Sequence, residues 1–182
     1  GSMAGPGITW VTTRTPATTT TIGTRRDHTR SPAGLSEKSP HASTATAARA
    51  KGLDIRELFF GRETALLLRE EGWAADLMTA NNVLAHVPDI NDFLGGFATL
   101  LKPSGVATFE FPHLLTLMAG AQFDTLYHEH YSYLSLTAVQ ILCQRNGLQV
   151  FDVEQLPTHG GSLRVFVQRA DGGQHSRQLN VQ

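Results

Sequence analysis

The sequence predicts an α/β fold with a largely parallel sheet that ends in an antiparallel hairpin. Two observations carry this. From residue 44 onward, apolar runs of strand length alternate with stretches of helical period, as strand–helix–strand units require. The last two runs, 148–153 and 162–168, are separated by a short Pro157-Thr158-His159-Gly160-Gly161 connection. That is too short for a crossover helix, so the final pair must be antiparallel.

The elements follow in order. Residues 1–42 look unlike the rest: Thr recurs at 12, 13, 15, 18, 19, 20, 21, 24 and 29 among Pro, Gly, Ser and Arg. Gly1-Ser2-Met3 reads as a vector-derived scar and is left out of fold reasoning. Thr is β-branched and suits strands, but the flanks lack apolar alternation, so this stretch reads mainly as a disordered leader. The alternative is one strand around 9–13, with Ile8, Trp10 and Val11, pairing with the main sheet. Residues 44–51 are strong helix formers stopped by Gly52. Residues 53–60 read as a strand, and 62–71, with Leu66, Leu67 and Leu68, as a helix stopped by Gly72. A short buried strand is expected at 76–80. Apolar residues at 90, 93, 94, 97, 100 and 101 have helical spacing, and Pro103 and Gly105 end that helix. Val106 opens a strand that Pro112 closes. Residues 136–145 read as a helix ended by Gly147. This gives a leader at 1–42, a main domain at 43–168 and a tail at 169–182.

Composition excludes several classes. The net charge is −1, and the one basic cluster, Arg25, Arg26 and Arg30, lies in the leader, so there is no nucleic-acid footprint. Cys143 is the only cysteine, which rules out an intramolecular disulfide and a cysteine-based zinc cluster and favours a cytoplasmic setting. No apolar run approaches the roughly 18–20 residues of a membrane span.

The run Tyr127-His128-Glu129-His130-Tyr131-Ser132-Tyr133 concentrates imidazoles, a carboxylate and phenols. Each such group needs a hydrogen-bond partner when buried, so the run reads as a proton-handling centre or a metal site. On a strand, His128 and His130 would share one face, and His86 or His159 would complete a ligand set.

The surrounding motifs narrow the choice. Asn81-Asn82-Val83-Leu84-Ala85-His86 follows a strand, and Leu100-Leu101-Lys102-Pro103-Ser104-Gly105-Val106 follows a helix. With them stand Glu110-Phe111-Pro112-His113, the aromatic–histidine run, and His159-Gly160-Gly161-Ser162-Leu163-Arg164. Together they resemble the deoxysugar C-methyltransferases over roughly residues 42–168. The resemblance implies a partial Rossmann-like class I methyltransferase sheet, S-adenosylmethionine as cofactor, and a nucleotide-linked 4-keto sugar as substrate. It also implies His130 as the general base, Glu129 orienting the sugar or the partner histidine, and Tyr127 and His86 donating to the keto or enolate oxygen. Asn81, Asn82, Val83 and Phe59 are the expected cofactor contacts, with Phe59 or Phe60 over the adenine. Tyr131 and Tyr133 are expected to pack. The family's cysteine-rich zinc domain and its acidic-Gly-x-Gly turn have no counterpart here, which leaves open a truncated, non-catalytic remnant. The sequence does not give the oligomeric state.

Overall fold

The computed structural model describes residues 8–14, 18–24, 49–50 and 54–172. Its centre is one seven-stranded sheet. The strands are β1 (Ile8–Arg14), β2 (Thr18–Thr24), β3 (Asp54–Glu57), β4 (Ala75–Asn81), β5 (Leu101–Pro112), β6 (Leu148–Leu156) and β7 (Ser162–Arg169). The helices are α1 (Arg62–Glu70), α2 (Ile90–Leu100), α3 (Leu114–Ala119) and α4 (Leu136–Arg145). The sheet order is β3-β1-β2-β4-β5-β7-β6. β2, β4 and β5 run parallel, and β7 is antiparallel to both β5 and β6. The sheet thus ends in the expected hairpin.

The leader departs from expectation. β1 and β2 form an antiparallel pair, with β1 also joined to β3 and β2 to β4. The reading as disordered leader is therefore corrected at 8–14 and 18–24. Thr, Val and Ile supply β-branched residues there, and ladder pairing on both sides replaces the missing alternation. The helix expected at 44–51 lies largely outside the described residues; Arg49 and Ala50 are helical. Residues 173–182 of the tail also lie outside.

The remaining elements follow their local signals. Asp89 caps α2 by accepting from the Asp92 N–H at 2.9 Å, and Ser135 caps α4 by accepting from Ala138 at 3.2 Å. β5 differs from the expected strand in starting at Leu101. Ala75 pairs with Leu101 and Leu77 with Val106, so Lys102-Pro103-Ser104-Gly105 bulge opposite Asp76. Lys102 Nζ closes the bulge on Asp76 at 2.7 Å.

The core lies between the sheet and α1, α2 and α4. Phe60, Phe93, Phe97 and Phe109 stack in tilted and edge-on contacts, with ring centroids 4.7–5.7 Å apart. Each buried ring contributes roughly 1.5–3 kcal/mol. Gly96 lets α2 approach closely, since a Cβ there would lie 2.8 Å from the Phe60 ring and from the Gly61 carbonyl. A polar tie joins the three helical segments: Arg62 donates to Asn146 at 2.6 Å, and Asn146 donates to Asn91 at 2.9 Å. No helix among the described residues is long and apolar enough to cross a membrane.

Candidate active site

The chain leaves β2 toward the β3 edge and leaves β4 toward β5 on the other side, and ligands in open α/β sheets sit at the carboxyl ends beside such a switch point. Asn81 and Asn82 stand there. Asn82 is left-handed, with φ of 54°, and its N–H donates to the Glu110 carbonyl at 2.8 Å. Its Oδ1 is buried and has no hydrogen-bond partner. Val83, by contrast, is wholly buried among core residues, so its side chain offers nothing to a ligand. β3 ends before Phe59. Phe59 is 60% exposed while Phe60 is core, so only Phe59 is free to cover a ring.

After Asn82 the chain makes a 3-10 turn, Leu84–His86, which leaves His86 buried. The aromatic–histidine run docks on this turn. The Ala85 carbonyl accepts from Tyr131 N–H at 2.8 Å and from Ser132 N–H at 3.3 Å. The His86 ring meets the Glu129 carbonyl through Nδ1 at 3.0 Å, and the His130 ring meets the Thr125 carbonyl through Nδ1 at 3.1 Å. A carbonyl can only accept, so both Nδ1 atoms carry the hydrogen and both Nε2 atoms carry the lone pair in the neutral rings. The two rings lie 4.7 Å apart, Tyr127 lies 4.1 Å from His130, and Tyr133 meets His130 edge-on at 5.6 Å. In the neutral ring, His130 therefore presents Nε2 as its acceptor nitrogen.

The geometry brings His86, His130 and Tyr127 together. Glu129 acts on His86 through its backbone carbonyl. Tyr133 packs as expected. Tyr131 does not, being 54% exposed, because its segment is held through backbone N–H groups. The strand that would align His128 with His130 is absent: the run is loop and turn. Among the described residues, no three His, Cys, Asp or Glu side chains converge to hold a metal. Burial pushes the Cys143 thiol up to about 12, so it is no nucleophile.

Sequence reasoning gave no role to a polar row beside this cluster. The sheet register places Asn81, Glu110, Arg164 and Glu154 side by side across four strands. Glu110 is buried. Its carboxylate accepts from Arg164 Nη2 at 2.9 Å and from Thr158 Oγ1 at 3.1 Å, while Arg164 Nη1 reaches Glu154 at 3.2 Å. The available signal was a lone carboxylate inside the apolar Val106–Phe111 alternation, which demands a buried partner. Gln122 links the turn after β6 to His130: its side chain donates to the Gly160 carbonyl at 2.9 Å, its own carbonyl accepts from Thr125 Oγ1 at 2.7 Å, and the Thr125 carbonyl holds the His130 ring. His113 joins the same seam. Its N–H donates to the Gly161 carbonyl at 3.0 Å, its Nδ1 lies 3.2 Å from Thr116 Oγ1, and its Nε2 is buried without a partner. Burial lowers its pKa below 6.5, favouring the neutral ring.

A mixed sheet, parallel through β2, β4 and β5 and antiparallel on both flanks rather than largely parallel as the sequence suggests, with helices packed on it, defines a Rossmann-like α/β protein. The methyltransferase-domain family matches residues 8–153, and the chain belongs to that family. It is 36% identical over 127 residues to the C-methyltransferase NovU of Streptomyces niveus, covering 70% of this chain and 30% of the relative. The chain thus spans about a third of the length of that curated relative. A crystal structure of an S-adenosylmethionine-dependent methyltransferase from Clostridium acetobutylicum superposes with a TM-score of 0.50 at 13% identity, over 73% of this chain and 71% of that one. The magnesium protoporphyrin IX methyltransferase of Synechocystis, solved with S-adenosylhomocysteine, gives 0.45 at 15% identity, over 71% and 58%. The cofactor of this family is S-adenosylmethionine. The residues fit it on the β4 side, where the buried, unsatisfied Oδ1 of Asn82 sits at the switch point.

Proposed function

We propose that this chain acts as an S-adenosylmethionine-dependent C-methyltransferase that alkylates a carbon next to the ketone of a nucleotide-linked 4-keto deoxysugar, in cytoplasmic deoxysugar and antibiotic assembly. The observation that carries the reading is the pair of imidazoles whose Nδ1 atoms are held by backbone carbonyls, with a phenol stacked on one of them. Carbon alkylation beside a ketone needs a base for the α-proton and a donor for the developing enolate oxygen. His130 Nε2 takes the proton: the C–H pair becomes the enolate π bond, and the oxygen charge is met by the Tyr127 hydroxyl. His86, held by the Glu129 carbonyl, lies against the ring that has become positive. When bound, S-adenosylmethionine supplies the electrophilic methyl group. Asn81 and Asn82 are the residues placed to hold it, with Phe59 over its adenine.

Titration calorimetry of the 182-residue chain with S-adenosylmethionine tests the donor side, with saturable binding below millimolar as the expected result. No binding at millimolar ligand would favour the non-catalytic remnant. On the acceptor side, His130→Ala should lower kcat about 10²–10⁴-fold with a nucleotide-linked keto sugar while the fold, read by circular dichroism, is kept. Near-full turnover in that variant removes His130 from the base role.

A further inference from the structure

The turn between β6 and β7 carries a residue in a conformation its side chain does not favour. His159 has φ of 52° and ψ of 38°, the left-handed region, where Gly sits freely and other residues are uncommon. Such a residue persists when its surroundings fix it in place. Four hydrogen bonds do so here. Thr158 Oγ1 donates to Glu110 at 3.1 Å, Ser162 Oγ donates to the Thr158 carbonyl at 2.9 Å, and Gln122 donates to the Gly160 carbonyl at 2.9 Å. The His113 N–H donates to the Gly161 carbonyl at 3.0 Å. The glycines are needed on their own account: a Cβ at Gly160 would run into Gln122, and one at Gly161 into Thr116.

None of these bonds uses the His159 imidazole, and the residue is exposed. Packing therefore does not account for histidine at this position, where Gly or Asn would be less strained. The turn lies on the same edge as the histidine cluster, because β7 begins beside the end of β5. Gln122 and Thr125 connect it to His130. The acceptor proposed above carries a diphosphate several bonds from its reacting carbon. An imidazole, which donates hydrogen bonds and accepts positive charge, suits a phosphate oxygen.

We infer that His159 is a binding residue for the diphosphate of the acceptor, held out toward it by a strained and latched turn. The inference rests on the nucleotide-sugar reading. The test titrates the 182-residue chain with uridine diphosphate, thymidine diphosphate and inorganic pyrophosphate, and separately with S-adenosylmethionine. His159→Gly and His159→Asn are compared with the parent. In both variants the dissociation constant for the nucleoside diphosphates should rise about tenfold or more. Affinity for S-adenosylmethionine should hold within about twofold, and the thermal midpoint should stay level or rise by about 2–4 °C as strain is released. A structural role for His159 moves the midpoint down instead, which overturns the inference, as does diphosphate affinity unchanged in both variants. A parent chain that binds S-adenosylmethionine but no diphosphate overturns it too and leaves the donor side of the proposed function standing. Failure to bind S-adenosylmethionine strikes the methyltransferase reading itself.

Discussion

Two regions of this molecule are held by opposite means. The centre of the sheet is apolar: Phe109, Phe111, Val165 and Val167 are fully buried where β5 meets β7. The segment from 114 to 131 carries apolar side chains that face solvent instead, with Phe123 at 75% and Met118 at 68% exposure. What holds that segment is polar: Leu114 N–H on the Leu134 carbonyl at 2.9 Å, Tyr131 N–H on Ala85, and Gln122 on Gly160. The lesson is that stability and chemistry are separable here. Hydrophobic burial fixes the scaffold, and a few directional bonds aim the histidines.

That contrast is open to attack from either side. Removing a core ring should have the largest effect. Phe109→Ala leaves a cavity under α2 and should cost about 3–5 kcal/mol, measured by urea unfolding, with binding lost only as the fold is lost. A smaller loss confined to the site would show that the centre is not the scaffold. Next comes the polar row. Arg164→Met strips the guanidinium from buried Glu110 and should cost about 1–3 kcal/mol, reduced from the fully buried case because Arg164 is partly exposed. Because Glu110 also anchors Thr158, acceptor KM should rise more than stability falls. Equal effects on both would merge the two regions.

The smallest effect expected is pH-dependent. The folded pKa of His113 is lowered by burial, so the unfolded chain takes up its proton first as pH falls. The contribution of the neutral ring to stability is then fully present above about pH 6.5 and is lost below it, down through the folded pKa. Denaturation midpoints taken between pH 7.5 and 5 should show this decline, and His113→Asn should flatten it. An unchanged slope in that variant would take His113 out of the seam.

Much of the scaffold was legible because its signals are local. α4 spans the residues expected, Leu136–Arg145, since Ser135 and Gly147 bracket an apolar period, and α1 and α2 each end within a residue of expectation. Where the sequence misleads, pairing partners far along the chain decide. Thr-rich β1 and β2 carry no apolar alternation, yet ladders to β3 and β4 make them strands. Pro103 and Gly105 read as the end of the helix, with the strand opening at Val106, but β5 begins at Leu101 and bulges through them. In the site, the residue types at 127–133 marked the run as a proton-handling centre or a metal site. The resemblance put His86 and His130 in one site, but the orientation of their rings did not show, because it is set by two backbone carbonyls. Glu110 was visible only as a misfit in an apolar strand, and its partner Arg164 lies 54 residues away.

The carbonyls that hold His86 and His130 have a consequence for how this site can change. They belong to the main chain, so no single side-chain exchange at 125 or 129 deletes them. The location of the mobile hydrogen on each ring is inherited with the path of the loop rather than with its residues. A library that randomises the exposed positions 123, 126, 128 and 131 would therefore vary the surface around the histidines while the orientation of the His86 and His130 rings stays constant.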